Sequence, residues 1–290
     1  MSQDRLEASL DIDQRPTLDI VRIIQEQDAR VPGAVAAEAE RIVHAIDQIA
    51  DRLSHGGHLF YVGAGTSARI AMLDAAELPP TFGVDRQVVR VVVAGGERAY
   101  FAAAEGAEDD EEAAIAAVNA EVQADDAVIG LAASGTTPYT VAAVRRANMI
   151  GALTVGITSV PGSPLTQEVD IAIVPQTGPE VIMGSTRLKS GTAQKLVLNA
   201  ISTGVMIRLG RVYSNLMIDM PATNEKLRSR AVRMVELAAG VTRPIAVQAI
   251  RDAAGNTRVA TVMARRKISA DEARKLLDAH RGNLREVLGA

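Results

Sequence analysis

The sequence predicts an α/β fold: a doubly wound, mostly parallel five-stranded sheet flanked by helices, with helices before it and a small all-helical module after it. Three observations lead there. Short apolar runs at 59–62, 88–94, 127–132, 153–157 and 171–174 are rich in β-branched residues, lack strict alternation and are bounded by Gly or Pro. Strands buried on both faces of a parallel sheet have this pattern. The stretches between them, 66–77, 108–122 and 137–149, are helical in composition, so β-α-β units repeat. From residue 185 onward the chain reads as helix to its end.

The elements follow in chain order. Residues 1–16 are polar and are expected to be loosely held. Two helices come next, at 17–28 and 33–53. The second starts after Pro32 and carries an apolar face of Val35, Ile42, Ile46, Ile49 and Leu53. After the sheet, a long helix is expected over 185–209. Pro221 and the following Ala-Thr-Asn-Glu-Lys-Leu open another, and shorter ones lie near 244–253, 257–265 and 270–279. Ser269-Ala-Asp-Glu272 has the form of a capping box for the last of these. This organisation divides the chain into an N-terminal helical segment (1–48), a ligand-binding α/β domain (49–212) and a C-terminal helical module (213–290).

Composition narrows the function. The 290 residues include no Cys, no Trp, three Phe and four Tyr, yet 48% are hydrophobic, so the core is aliphatic. A disulfide framework, a thiolate metal site and a Cys nucleophile are excluded. A net charge of −4 argues against nucleic acid as a partner. No uncharged apolar run approaches the roughly 18–20 residues of a membrane helix, so no membrane partner is expected. Met1-Ser2-Gln3-Asp4-Arg5 is not followed by an apolar signal stretch. The expectation is a cytoplasmic protein.

In doubly wound sheets ligands bind beyond the carboxyl ends of the strands, which points to the loops after residues 62, 94, 132 and 158. The first is Gly63-Ala-Gly65-Thr66-Ser67-Ala68. Its glycines let backbone approach an anion, the next helix offers free N–H groups, and Thr66 and Ser67 add hydroxyl donors. It also matches the dinucleotide fingerprint, but the acidic partner expected about 20 residues later is missing. The loop after the third strand, Ala133-Ser134-Gly135-Thr136-Thr137-Pro138, gathers three more hydroxyls before a helix that Pro138 can start. Two such loops on neighbouring strand ends suit a compact phosphomonoester such as a sugar phosphate. No P-loop sequence is present.

Two groups of carboxylates could supply chemistry. The helix opened by the first loop is expected to stop before Pro79-Pro80, which puts Glu77 near its C-terminus. The helix dipole there disfavours negative charge and favours a protonated general acid; the alternative is an exposed acid ending a helix. Glu105-Gly-Ala-Glu108-Asp-Asp-Glu-Glu112 holds six acids in eight residues, most of them explained as the solvated first turn of a helix. One of them turned inward would stay ionised and could act as a base, giving an acid–base pair at opposite helix ends. Glu180, Arg187 and Lys189 could help to hold an anionic sugar, or could belong to an ordinary capped helix start. His44, His55, His58 and His280 have no metal-ligand spacing, and no metal is expected.

The hydroxyl loops resemble those of the sugar isomerase (SIS) domain. Longer strings resemble the N-acetylmuramic acid 6-phosphate etherase family: Gly63-Ala-Gly-Thr-Ser67, Asp74-Ala-Ala-Glu-Leu-Pro-Pro-Thr81, Ala94-Gly-Gly-Glu97, Glu105-Gly-Ala-Glu-Asp109, Ala133-Ser-Gly-Thr-Thr-Pro-Tyr139, Lys189-Ser-Gly-Thr-Ala-Gln-Lys-Leu-Val-Leu-Asn199 and Ala222-Thr-Asn-Glu-Lys-Leu227. The resemblance runs from about Ile12 to the C-terminal helices. It implies a lyase of cell-wall recycling that cleaves the D-lactyl ether of N-acetylmuramic acid 6-phosphate, giving N-acetylglucosamine 6-phosphate and D-lactate. It implies no cofactor, a homodimer, and a C-terminal module similar to ubiquitin-associated folds. The family's two functional glutamates fall on Glu77 and Glu108, and the residue reading gives the phosphosugar Gly65, Thr66, Ser67, Ser134, Gly135, Thr136 and Thr137, with Glu180 and Lys189 added. Two positions depart from the family pattern: Thr136 stands where an Arg is frequent, and Ala68 where a Gly is. Arg69, Arg187 or Lys189 is expected to supply the missing cation. The competing functions on this scaffold are an aldose–ketose phosphosugar isomerase and a non-catalytic phosphosugar-binding regulator.

Overall fold

The computed structural model describes residues 4–102, 104–220, 224–280 and 282–289. It divides into two compact units, Met1–Ala75 with Gln87–Val205, and Ala76–Arg86 with Met206–Ala290.

In the first unit, helices α1 (Thr17–Asp28), α2 (Val31–Ala36) and α3 (Ala39–Ser54) precede the sheet. The single helix expected over 33–53 is two helices. The chain breaks at Glu38, whose carboxylate accepts the Val174 N–H at 3.0 Å and pairs with Arg41 at 3.0 Å. Ile42, Ala45, Ile49 and Ala50 form the buried face of α3. The segment before α1 is not loose among its described residues. Two short 3-10 turns, Glu7–Ser9 and Ile12–Gln14, order it, and the buried Ser9 Oγ donates to the Val181 carbonyl at 2.8 Å.

The sheet contains β1 (Leu59–Gly63), β2 (Val89–Val93), β3 (Ala127–Leu131), β4 (Leu153–Ile157) and β5 (Ile171–Ile173). Its order is β2-β1-β3-β4-β5, and every described pairing is parallel. β1, β3 and β4 are buried along their whole length, as their continuous apolar runs require. Helices α4 (Gly65–Phe82), α5 (Glu111–Glu121), α6 (Pro138–Ile150) and α7 (Pro164–Gln167) make or follow the crossovers, and α8 (Lys189–Arg208) closes the unit. One face packs Phe60, Val62 and Val128 against Val118, Val144 and Leu165. The Arg90 guanidinium covers the Phe60 ring at 4.3 Å and pairs with Glu121 at 3.0 Å.

A buried polar knot ties β1, α4 and α8 together. The Asp74 carboxylate accepts the Tyr61 hydroxyl at 2.9 Å, the Asn199 amide at 2.6 Å and the Ser202 hydroxyl at 3.0 Å. Burial, with the Asp74 charge and hydrogen bond, pushes the Tyr61 phenol well above its ordinary range.

The second unit contains α9 (Glu225–Ala239), α10 (Arg243–Asp252), α11 (Thr257–Arg266), α12 (Ala270–Ala279) and α13 (Leu284–Leu288). Ser269 and Glu272 form the expected capping box of α12. Small and aliphatic residues such as Val235, Ala246, Ala260 and Leu277 fill its core. Arg258 fastens its ends together, donating to Asp219 at 2.7 Å, to the Gly210 carbonyl at 2.9 Å and to the Gly282 carbonyl. The helix expected to open at Pro221 begins at Glu225, with the Asn224 side chain as its cap; Pro221, Ala222 and Thr223 lie outside the described residues.

Candidate active site

Chain order reverses between β1 and β3, because β1 has β2 on one side and β3 on the other. The crevice at such a reversal, beyond the carboxyl ends of the strands, is where an open α/β sheet binds ligands. Both hydroxyl loops leave it: Gly63 is in register with Leu131 across the β1–β3 pair. The sequence therefore placed its two loops on the two strands that flank the switch point.

The first loop runs straight into α4, which begins at Gly65 with φ of +52°. The first free N–H groups of an 18-residue helix thus lie directly beyond the carboxyl end of β1. Thr66 is half-buried and Ser67 buried. Ser67 Oγ lies 3.0 Å from Gln194 Oε1 on α8. The first turn of α8 adjoins the loop, since a Cβ on Gly191 would stand 3.9 Å from the Thr66 methyl.

The second loop is knitted to the chain after β4. Ser159 N–H donates to the Ala133 carbonyl at 3.0 Å, Thr158 Oγ1 donates to the same carbonyl at 3.2 Å, and Leu165 N–H donates to the Gly135 carbonyl at 3.0 Å. Ser134 and Thr136 share a hydroxyl–hydroxyl hydrogen bond of 2.9 Å, and the Thr136 N–H meets Ser134 Oγ at 3.3 Å. Thr137 is the N-cap residue of α6 and makes no side-chain cap bond; Pro138 follows at the first helical position. The Thr137 hydroxyl is thus left for another acceptor or donor.

A cavity of about 240 Å³ opens beside the first loop. Ala64, Gly65 and Arg69 line it together with Ala94 and Ala99. The segment holding Glu105 and Glu108 completes the lining. Glu108 sits in a 3-10 turn, Ala107–Asp109, and not in the first turn of a helix. The helix expected from 108 begins only at Glu111, because the Asp110 carboxylate accepts the Ala113 N–H at 2.9 Å and caps it there. Arg69 braces this wall, donating to the carbonyls of Ala99 at 3.0 Å, Tyr100 at 3.2 Å and Ala102 at 3.1 Å. Of the three cations considered for the crevice, Arg69 lines the cavity, Arg187 is exposed and Lys189 is buried.

The expectation for Glu77 needs correcting. Helix α4 does not stop before the prolines; it runs through Pro79 and Pro80 to Phe82. Leu78 and Phe82 are buried on either side of them, and Gly83 closes the helix with φ of +62° and an N–H to the Pro79 carbonyl at 3.0 Å. Burial of those two side chains outweighs the missing proline N–H groups. Glu77 is therefore an exposed mid-helix residue, and the dipole argument for a protonated acid does not apply.

Glu180 and Lys189 are each 1% exposed. Both Glu180 carboxylate oxygens accept main-chain N–H groups, from Lys189 at 3.0 Å and Ser190 at 2.9 Å. This is why α8 starts at Lys189 and not at 185 as expected. Lys189 Nζ donates to Gln27 Oε1 on α1 at 3.1 Å, and burial lowers its pKa. These polar atoms are spent on capping α8 and docking α1. Among the described residues no group of three or more His, Asp or Glu could hold a metal ion. His58 instead meets Asp126 at 3.2 Å, and His280 meets Glu286 at 3.3 Å.

The loop after β4 is one of the four strand-end loops, yet its sequence pattern singles out no site residue. Thr158 and Ser163 support the second hydroxyl loop from there. Ser163-Pro164 is a cap–proline pair, the signal that could have found it.

Comparison with known proteins matches this geometry. Residues 41–148 match the model of the glucokinase regulatory protein N-terminal SIS domain, and residues 104–203 match the SIS domain model. The N-acetylmuramic acid 6-phosphate etherase of Symbiobacterium thermophilum is 55% identical over 90% of this chain and 87% of its own length. That of Clostridium beijerinckii is 48% identical over 99% of this chain and 95% of its own. The chain belongs to the N-acetylmuramic acid 6-phosphate etherase family. Among solved structures, the phosphoheptose isomerase of Francisella tularensis matches with a TM-score of 0.53 at 17% identity, covering 66% of this chain and 98% of its own. That of Neisseria gonorrhoeae matches with a TM-score of 0.51 at 17% identity, covering 66% and 98%. These likenesses show the fold, to which the SIS domain model gives its name. No described helix is long and apolar enough to cross a membrane.

Proposed function

We propose that this chain is a carbon–oxygen lyase that cleaves the D-lactyl ether of N-acetylmuramic acid 6-phosphate to N-acetylglucosamine 6-phosphate and D-lactate. The observation that carries the proposal is the cavity of about 240 Å³ that sets Glu108 beside the first hydroxyl loop at the strand-order reversal. The phosphate is assigned to the N–H groups at Gly65, Thr66 and Ser67 and to the hydroxyls of Ser134, Thr136 and Thr137, with Gly135 shaping the second loop. These are neutral donors, and converging N–H and O–H groups bind a phosphate dianion well at a helix start.

The chemistry proceeds through the open-chain sugar. Its C1 aldehyde acidifies the proton on C2. A carboxylate removes that proton, the C3–O bond breaks, and lactate leaves with a proton from an acid. Water then adds to the unsaturated aldehyde, its oxygen to C3 and a proton to C2. We assign Glu108 to the C2 proton and Glu77 to lactate and water. With the helix-end argument for Glu77 gone, family resemblance at Asp74-Ala-Ala-Glu77 carries that half. The reaction belongs to cell-wall recycling in the cytoplasm, and the enzyme acts as a homodimer.

The test is D-lactate release from N-acetylmuramic acid 6-phosphate by wild type, Glu77→Ala and Glu108→Ala. Wild type releases lactate, and each variant is slowed by about 10²–10⁴-fold. Normal lactate release by Glu77→Ala would overturn its assignment. Interconversion of aldose and ketose phosphates without lactate would make the chain an isomerase.

A further inference from the structure

Gln194 lies in the Lys189–Asn199 string that the family resemblance singled out, yet no role attaches to it. It is 2% exposed on the second turn of α8. Its Oε1 is 3.0 Å from Ser67 Oγ, the most buried hydroxyl of the first phosphate loop. Its Nε2 is buried and has no hydrogen-bond partner. A buried unpaired amide donor is costly, and one kept beside a binding loop asks for an explanation.

The hydrogen-bond inventory supplies one. A serine hydroxyl has a single hydrogen to give. While Ser67 donates it to Gln194 Oε1, only its lone pairs remain for an anion at the loop, and lone pairs repel a phosphate dianion. If the carboxamide turns by half a turn, Nε2 donates to Ser67 Oγ. The hydroxyl hydrogen is then released toward the anion, and the orphaned donor acquires its partner. One rotation about the Cγ–Cδ bond, a torsion with broad, roughly two-fold wells, gives the donor its partner and frees the hydroxyl hydrogen, while Oε1 moves to the place that Nε2 left.

We propose that Gln194 is a positioning residue that sets the polarity of Ser67, turning its hydroxyl into a donor for the substrate phosphate. This rests on the phosphate-loop reading above. Gln194 touches Ser67 and acts through it.

The experiment compares full-length wild type with Ser67→Ala, Gln194→Glu, Gln194→Met and the Ser67→Ala/Gln194→Glu double variant. It reads KM and kcat for lactate release from N-acetylmuramic acid 6-phosphate, and inhibition by inorganic phosphate. A carboxylate at 194 can only accept, so Gln194→Glu locks Ser67 in the wrong polarity. KM rises and phosphate inhibition weakens by about tenfold or more, with kcat changed much less. Gln194→Met removes the donor without adding an acceptor, and its KM rises by a smaller factor. The double variant is no worse than Ser67→Ala, because the effect passes through that hydroxyl. Gln194→Glu and Gln194→Met with wild-type KM, alongside a Ser67→Ala variant whose KM has risen, overturn the role of Gln194 and leave the phosphate loop standing. Additive effects in the double variant overturn it as well. If Ser67→Ala itself leaves KM and phosphate inhibition unchanged, the Ser67 hydroxyl takes no part in holding the phosphate and the inference falls, while the main-chain N–H groups of the loop keep their assignment.

Discussion

Gly65 and Gly135 each sit in a hydroxyl loop with positive φ, +52° and +68°. Alanine at either position meets a left-handed backbone, which costs about 1–2 kcal/mol. The surroundings differ. A Cβ on Gly65 would meet nothing within 4 Å, whereas one on Gly135 would lie 2.5 Å from Ser163 Cβ and 2.8 Å from Thr158 Oγ1, closer still to Ser163 Oγ. Ser163 is 4% exposed and Thr158 1%, so neither side chain can swing aside into solvent. Overpacking of this kind adds about 1–3 kcal/mol. Gly135→Ala should therefore be less stable than Gly65→Ala by that increment. In a unit of this size a kilocalorie moves Tm by roughly 2–4 °C, so the gap between the two variants is about 2–12 °C. Scanning calorimetry on wild type and both variants measures it. The comparison cancels the shared backbone term and isolates the crowding. Equal melting temperatures would refute the packing of the second loop against the β4 loop, and with it the account of how that loop is held.

Other expectations follow from the same structure. Glu180→Ala leaves two buried main-chain N–H groups of α8 without their acceptors and should cost about 2–4 kcal/mol in urea unfolding. Glu180→Gln, which keeps one acceptor oxygen, should lose less. The Tyr61 phenol is raised in the folded state, so above pH 10 the unfolded chain releases this proton while the native chain keeps it. Stability then falls as pH rises past 10, with smaller contributions of the same sign from Tyr100 and Tyr139. Tyr61→Phe should flatten the alkaline limb of a stability-versus-pH curve, and an unchanged slope would contradict the burial of that hydroxyl beside Asp74. Arg69→Ala removes three hydrogen bonds from the wall that continues to Glu108, and hydrogen exchange over 97–109 should accelerate there more than in the sheet.

What could be read from the chain divides along a physical line. The five strands were legible because a strand buried on both faces needs an unbroken apolar run, and the two hydroxyl loops were legible because they directly follow two of those runs. The capping box at Ser269 was legible because both partners lie within one turn. Features decided by distant partners were not. Local rules end α4 before Pro79, yet burial of Leu78 and Phe82 carries it on, and the dipole argument for Glu77 fails with that boundary. Glu180 and Lys189 look like a charged pair facing a ligand until the structure shows main-chain caps and a Gln27 partner 162 residues away from Lys189. The Ser67–Gln194 contact spans 127 positions, and nothing in either local sequence announces the other.

The central claim is that the ether is broken by elimination at C2–C3 and that water then adds to the sugar. Reaction of N-acetylmuramic acid 6-phosphate in oxygen-18 water, with mass spectrometry of both products, tests it most directly. One labelled oxygen at C3 of N-acetylglucosamine 6-phosphate, with none in the new lactate hydroxyl, is the predicted result. Label in the lactate hydroxyl, or no lactate at all, would contradict the account.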